Sequence, residues 1–75
     1  MLMNTMFECG QFFVRIQNKS GLLKVTIWNS KGDKVFSDVL GPEPAVQFWN
    51  QVESLTDNAT ADEIRAKARE ARAYT

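Results

Sequence analysis

Apolar and polar residues alternate in two consecutive segments of the chain, residues 11–17 and 22–29. Alternation at every second position is typical of β-strands that bury one face and expose the other. We therefore expect two strands that share an inward face. The inward positions are Phe12, Val14, Ile16, Leu23, Val25 and Ile27.

Turn-forming residues separate these strands from each other and from a third apolar segment. The sequence NKSG follows the first strand at 18–21, and NSKGD follows the second at 29–33. Residues 34–40 predict a third strand with weaker alternation, and the short loops indicate an antiparallel meander. The alternatives for its inward face are Val35 with Val39, or Phe36 with Leu40.

A helix is predicted at about residues 43–55, after the GPEP segment that ends the sheet. Proline suits the first turn of a helix, and apolar residues then recur at helical spacing. These apolar positions are Ala45, Phe48, Val52 and Leu55, with Trp49 beside them. The predicted fold class is α+β, a three-stranded antiparallel meander packed against one α-helix, in a single domain of residues 1–55.

Residues 56–75 are predicted to form a charged C-terminal tail. Thr60 and Glu63 match a capping box, and residues 61–74 favour a helix by their content of Ala, Arg, Lys and Glu. Ile64 is the only large aliphatic residue there, so the segment offers no strong apolar stripe for packing. We expect a mobile or marginally helical tail that orders on a partner.

The second face of the predicted sheet is the candidate binding surface. One helix covers one face only, so the other face of a three-stranded sheet meets solvent. Aromatic side chains among bases suit a protein interface or stacking on single-stranded nucleic acid. Alternatively, the C-terminal segment covers this face, or Phe13 and Trp28 form a cross-strand pair. The candidate residues are Phe13, Arg15, Gln17, Lys24, Thr26 and Trp28.

Three arginines of the tail, Arg65, Arg69 and Arg72, share one side of a helix if the segment is helical. They form either a solvated face that complements the C-terminal end of the helix dipole or a docking arm for an acidic partner. We include them among the candidate partner-binding residues.

Charge is sorted along the chain although its sum is zero. Residues 1–34 carry five bases and two acids, residues 35–64 carry six acids and no base, and residues 65–75 carry four bases and one acid. Separated charge of this kind steers macromolecular partners. The zero net charge and the pI of about 6.2 make direct nucleic-acid binding the weaker expectation.

The chain lacks the residues that most catalytic and metal sites use. It has no histidine, its four glycines are spaced as turn markers, and Cys9 is its single cysteine, expected to be a buried small hydrophobe. We therefore expect no enzyme activity, no cofactor and no metal. With no disulfide, no signal-peptide pattern and no membrane-spanning apolar segment, the expected location is the cytoplasm.

A short β-meander with one helix, a charged tail and no catalytic residues resembles the plan of the small phage-encoded inhibitors of bacterial RNA polymerase. The similarity covers Met1–Leu55 with its Arg-rich tail, and it is carried by the segment Phe12–Trp28. The resemblance implies a protein that acts in the host cytoplasm, binds a large host complex such as RNA polymerase and inhibits transcription, as a monomer rather than an oligomer. Small anti-CRISPR inhibitors share the same plan, and a small nucleic-acid-binding domain is the further alternative.

Overall fold

Four antiparallel strands and two helices make up the computed structural model of the chain, which describes residues 3–19, 22–41 and 45–72. The strands follow one another in space as they do in sequence, in the order β1-β2-β3-β4. They are β1 (Met3–Cys9), β2 (Phe12–Lys19), β3 (Leu22–Trp28) and β4 (Lys34–Leu40). The helices are α1 (Val46–Leu55) and α2 (Asn58–Arg72).

The α+β class and the antiparallel meander are confirmed, but the prediction of three strands and one helix is wrong. The additional strand, β1, pairs with β2 along its whole length, from Met3 opposite Asn18 to Cys9 opposite Phe12. Gly10, with a φ of 61°, allows the tight turn between the two strands. β1 escaped prediction because it contains no β-branched residue except Thr5, and its inward positions mix polar and apolar side chains.

The turn between β3 and β4 forms where the NSKGD sequence predicts it. The Asn29 side-chain oxygen Oδ1 accepts hydrogen bonds from the backbone N–H groups of Lys31 (2.9 Å) and Asp33 (3.0 Å). Gly32 adopts a φ of 86°, which only glycine adopts without strain. After an irregularity between Ile27 and Trp28, the register of β4 places Phe36 and Leu40 on the inward face, and both are buried.

Helix α1 covers the β4 side of the inward face. Phe48 packs edge-to-face against Phe36 of β4, with ring centroids 5.4 Å apart, and against its own neighbour Trp49 at 4.8 Å. Val52 completes the buried side of this helix. The helix was predicted from about residue 43, and residues 42–44 lie outside the described part of the chain.

Helix α2 replaces the predicted tail and packs over β1, β2 and β3. Its N-cap is Asp57, whose Oδ1 accepts a hydrogen bond from the Thr60 N–H at 2.7 Å. The helix therefore begins about one turn earlier than the Thr60–Glu63 capping box predicts. Asn18 of β2 ties the other end to the sheet, because its Nδ2 donates to the Ala71 carbonyl at 2.9 Å.

Small residues make the buried stripe of α2. Ala61, Ile64, Ala68 and Ala71 are all buried, at helical spacing, against the inward positions of the sheet. Alanine lets the helix axis approach the sheet closely, so a stripe with one large side chain is enough to close the core. Both helices lie on the same side of the sheet, which determines where a binding surface is available.

Candidate protein-docking surface

The outer face of the sheet is the side that faces away from α1 and α2. The helices and the inward strand positions contribute side chains to one buried cluster. Among its strand residues, Val14, Ile16 and Val25 have no exposed surface. Alternate strand positions therefore point away from the helices. The six predicted strand residues all fall on this outer face: Phe13, Arg15, Gln17, Lys24, Thr26 and Trp28.

The interpretation in which the C-terminal segment covers this face is wrong, because α2 packs on the inward side. The other alternative is supported by the register. Phe13 and Trp28 are direct cross-strand partners, and neighbouring aromatics in such a pair stabilise a sheet modestly. The pair is still available for contact, because Phe13 is exposed and Trp28 is half-buried.

Most of the exposed large apolar side chains of the described residues lie on the outer face. Two of them, Met6 and Val39, were not predicted as site residues, because β1 was missed and the inward side of β4 was left open. Leu22 shares the alternation of Lys24, Thr26 and Trp28 along β3, although it is not among the predicted contact residues. The exposed fractions are 62% for Met6, 42% for Phe13, 51% for Leu22 and 48% for Val39.

The centre of the outer face is an arginine stacked on a tryptophan. The Arg15 guanidinium carbon lies 5.4 Å from the centroid of the Trp28 ring, within the range of a cation–π contact. Thr26 is the direct cross-strand neighbour of Arg15 and is only 3% exposed. The Nε of Arg15 and the Oγ1 of Thr26 are both buried without a hydrogen-bond partner in the structure. An unsatisfied buried donor is costly, so an acceptor supplied from outside would be favourable here.

Charge on the outer face is positive on balance. Arg15 and Lys24 lie on it, and Glu8, opposite Phe13 in the register, is the acid among them. Most acids of the middle segment lie instead on or between the two helices. These acids are Glu53, Asp57, Asp62 and Glu63. The helical layer carries both signs, because the bases of the C-terminal segment lie on α2 beside these acids. The outer face, with its excess of positive charge, favours an acidic partner.

The C-terminal arginines lie elsewhere. Arg65, Arg69 and Arg72 line a groove between α1 and α2, on the opposite side of the sheet from Phe13 and Trp28. The structure therefore divides the predicted partner-binding residues into two separate surfaces. Arg72 is held in place, because its Nη2 donates to the carbonyl of Gly41.

Cys9, as expected, is a buried residue. It lies beneath the start of α2, where its Sγ donates to Glu63 Oε2 at 3.5 Å. Burial is the largest influence on the thiol and raises its pKa, and the carboxylate of Glu63 acts in the same direction. The thiol therefore stays protonated at neutral pH, which makes it a poor nucleophile.

Metal and membrane sites are not found in the part of the chain that the structure describes. Among residues 3–19, 22–41 and 45–72, no three Cys, Asp or Glu side chains come together in a way that could hold a metal ion. Neither α1 nor α2 is long and apolar enough to cross a membrane.

Comparison with protein-family models, with curated proteins and with solved structures finds no match for this chain. Function is therefore inferred from the geometry of the outer face and from the chemistry of its residues.

Proposed function

We propose that this chain is a non-catalytic regulator that binds a partner protein through the outer face of its sheet. The observation that carries the proposal is the set of four half-exposed apolar side chains on the face that holds the Arg15–Trp28 stack. Single exposed apolar residues are common on monomers, whereas a group of them on one uncovered face is typical of an interaction surface.

The composition of the face matches the anatomy of a protein interface. Tryptophan and arginine supply most binding hot spots, and surrounding apolar contacts contribute mainly by excluding water. Met6 is the cross-strand neighbour of Arg15 on β1, and Phe13 is that of Trp28. A partner carboxylate placed against Arg15 would form a charge-assisted hydrogen bond, in surroundings from which those side chains exclude water.

The partner we propose is bacterial RNA polymerase, with inhibition of transcription as the result, in keeping with the resemblance of the plan. A CRISPR nuclease complex is the alternative target. Direct stacking on nucleic acid is less favoured, because the Arg15 guanidinium lies over the Trp28 ring that a base would need.

Binding to purified RNA polymerase, measured by biolayer interferometry, tests the proposal with matched variants. Val39→Ser and Leu55→Ser remove apolar side chains of similar exposure, 48% and 44%, from the outer face and from the end of α1. We expect Val39→Ser to weaken binding several-fold, Trp28→Ala to weaken it by roughly thirtyfold as a hot spot does, and Leu55→Ser to leave it unchanged.

The same series on a CRISPR nuclease complex separates the two partners. If the protein binds neither complex, both proposed targets are excluded. Equal losses of affinity for Val39→Ser and Leu55→Ser would show that the outer face is not the contact. A self-association surface is tested by light scattering: a concentration-dependent dimer that Val39→Ser dissociates would replace the partner protein with a second copy of the chain.

A further inference from the structure

The arginine groove is the cleft between α1 and α2, and it has its own geometry. Its volume is about 430 Å³, and it is open along one side. Val46, Trp49 and Ala68 contribute its apolar surface, and Arg65, Arg69 and Arg72 stand along the α2 wall. The spacing of four and then three residues places the three guanidinium groups over roughly 10 Å of helix length.

Two of these arginines lack a charge partner inside the described part of the protein. No carboxylate of the described residues forms an ion pair with Arg65 or Arg69, and the Nε of Arg65 is buried without a hydrogen-bond partner. The Arg65 guanidinium is nevertheless positioned, because it lies 4.9 Å from the centroid of the Trp49 ring. A positioned cation without a counter-charge is suited to a ligand that brings one.

We infer that the arginine groove binds an acidic peptide segment of a partner protein, with one apolar side chain placed between the helices. The carboxylates of such a segment match the arginine row, since planar guanidinium groups bind carboxylates in a bidentate manner. Its apolar side chain would cover the exposed side of Val46 and contact Ala68. This site is separate from the outer face and does not depend on the proposed function.

A nucleic-acid strand fits the groove less well. Single strands gain much of their affinity from bases stacked on exposed aromatic rings. Trp49 is buried and has Arg65 over its ring, so it offers no free face for a base. The apolar wall would also remain uncovered beneath a phosphodiester backbone.

The two tryptophans allow a direct test, because Trp28 lies on the outer face and Trp49 in the groove. In a Trp28→Phe background, Trp49 is the only tryptophan and its fluorescence reports on the groove. The probe is a blocked peptide with glutamates around one leucine, and its counterpart with glutamines is the uncharged reference. We expect the glutamate peptide to change the Trp49 emission in a saturable way and the glutamine peptide to bind at least about tenfold more weakly.

Two charge-matched variants locate the contact on α2. Arg69→Gln should lower the affinity for the glutamate peptide about tenfold, as the loss of a charge-assisted hydrogen bond does. Lys67→Gln removes the same charge from the same helix outside the groove, where the Lys67 Nζ lies 5.7 Å from the Phe7 ring, and should change the affinity less than twofold. Arg69→Lys should recover only part of the binding, since lysine cannot form the bidentate pair.

Several results would overturn the inference. Equal losses for Arg69→Gln and Lys67→Gln would mean that the helix attracts the peptide by net charge alone. An unchanged Trp49 signal would exclude the groove, and an oligothymidylate that binds more tightly than the peptide and depends on Arg69 would replace the acidic peptide with nucleic acid. Because the probe is a synthetic peptide, failure here leaves the polymerase measurements on the outer face unaffected.

Discussion

Leu22 and Leu23 are consecutive leucines on β3, and the sheet gives them opposite environments. Leu23 is fully buried under the helices, whereas Leu22 is half-exposed on the outer face. The same contrast holds along the whole sheet. Both faces carry large apolar side chains, but both helices pack on the inward face, so only the apolar side chains of that face are buried. What separates the face that stabilises the fold from the proposed binding face is therefore the position of the helices.

The difference follows from where the described helices pack. The buried apolar side chains of α1 and α2 all join the inward cluster, so neither helix covers the outer face. The outer face remains compatible with solvent because Arg15, Gln17 and Lys24 alternate across the strands with the apolar residues. One face stabilises the fold, and the other is the proposed binding surface.

The largest expected effect comes from substituting the two leucines separately. Leu23→Ala should lower the free energy of unfolding by roughly 2–5 kcal/mol, because it removes buried methyl groups and leaves a cavity. Leu22→Ala should change it by about 0.5 kcal/mol or less, as substitutions on an exposed surface do. Urea unfolding followed by circular dichroism measures both. Similar losses for the two variants would mean that the outer face is covered in solution.

The next effect tests the close approach of α2. Ala68→Leu inserts a large side chain where the helix meets the sheet and should cost about 1–3 kcal/mol by overpacking. Ala66→Leu makes the same change on the exposed side of the helix and should be nearly neutral. If α2 were detached in solution, Ala68→Leu and Ala66→Leu would have equal stability, and Ala68→Leu would not unfold at a lower urea concentration.

Much of the sheet could be predicted from the sequence because alternation is a local property. The strands β2 and β3 and the turn before β4 follow from residues close together in the chain. The missed elements, β1 and α2, share a physical reason: their contribution depends on the partner they pack against. The alanines of α2 become a packing stripe only when a sheet lies beneath them, and a count of large aliphatic residues overlooks them.

The candidate surfaces show the same limit. Residues of one face, such as Phe13 and Trp28, were grouped correctly because their positions follow from strand period and register. Met6 was missed with its strand. The groove formed by Arg65 and Arg69 with Trp49 could not be predicted, because it requires the packing of two helices whose contact leaves no periodic signal in either segment.

A smaller effect concerns the interaction at the centre of the outer face. A double-mutant cycle with Arg15→Met and Trp28→Ala should give a coupling energy of about 0.5–1 kcal/mol, the range for a cation–π pair near solvent. Methionine keeps an apolar stem in place of the arginine stem and removes the unsatisfied Nε, so the single variant should be close to neutral in stability. A coupling energy near zero would show that the ring and the guanidinium do not stack in solution.

The smallest expected effect is a loss of stability in acid that acts only on the inward face, where α2 packs. The N-cap carboxylate of Asp57 accepts the Thr60 backbone N–H, and this hydrogen bond is the main reason that its pKa is lowered. A group with a lowered pKa in the folded state stabilises the protein above its unfolded pKa. That stabilisation is lost as the pH falls through the lower folded value, which places the change below about pH 4. Acid should therefore loosen α2 from the inward face of the sheet.

Asp57→Asn isolates this contribution, because asparagine caps a helix about as well as aspartate and does not titrate. Between neutral pH and about pH 3, the urea midpoint of the unchanged chain should fall further than that of the variant. Reaction of the Cys9 thiol, which lies beneath the start of α2, gives a second measure when a thiol reagent active in acid is used. Labelling should accelerate in acid for the unchanged chain more than for Asp57→Asn. Identical pH profiles for the two proteins would show that the cap does not hold α2 on the sheet, and the difference between the two faces would then rest on side-chain packing alone.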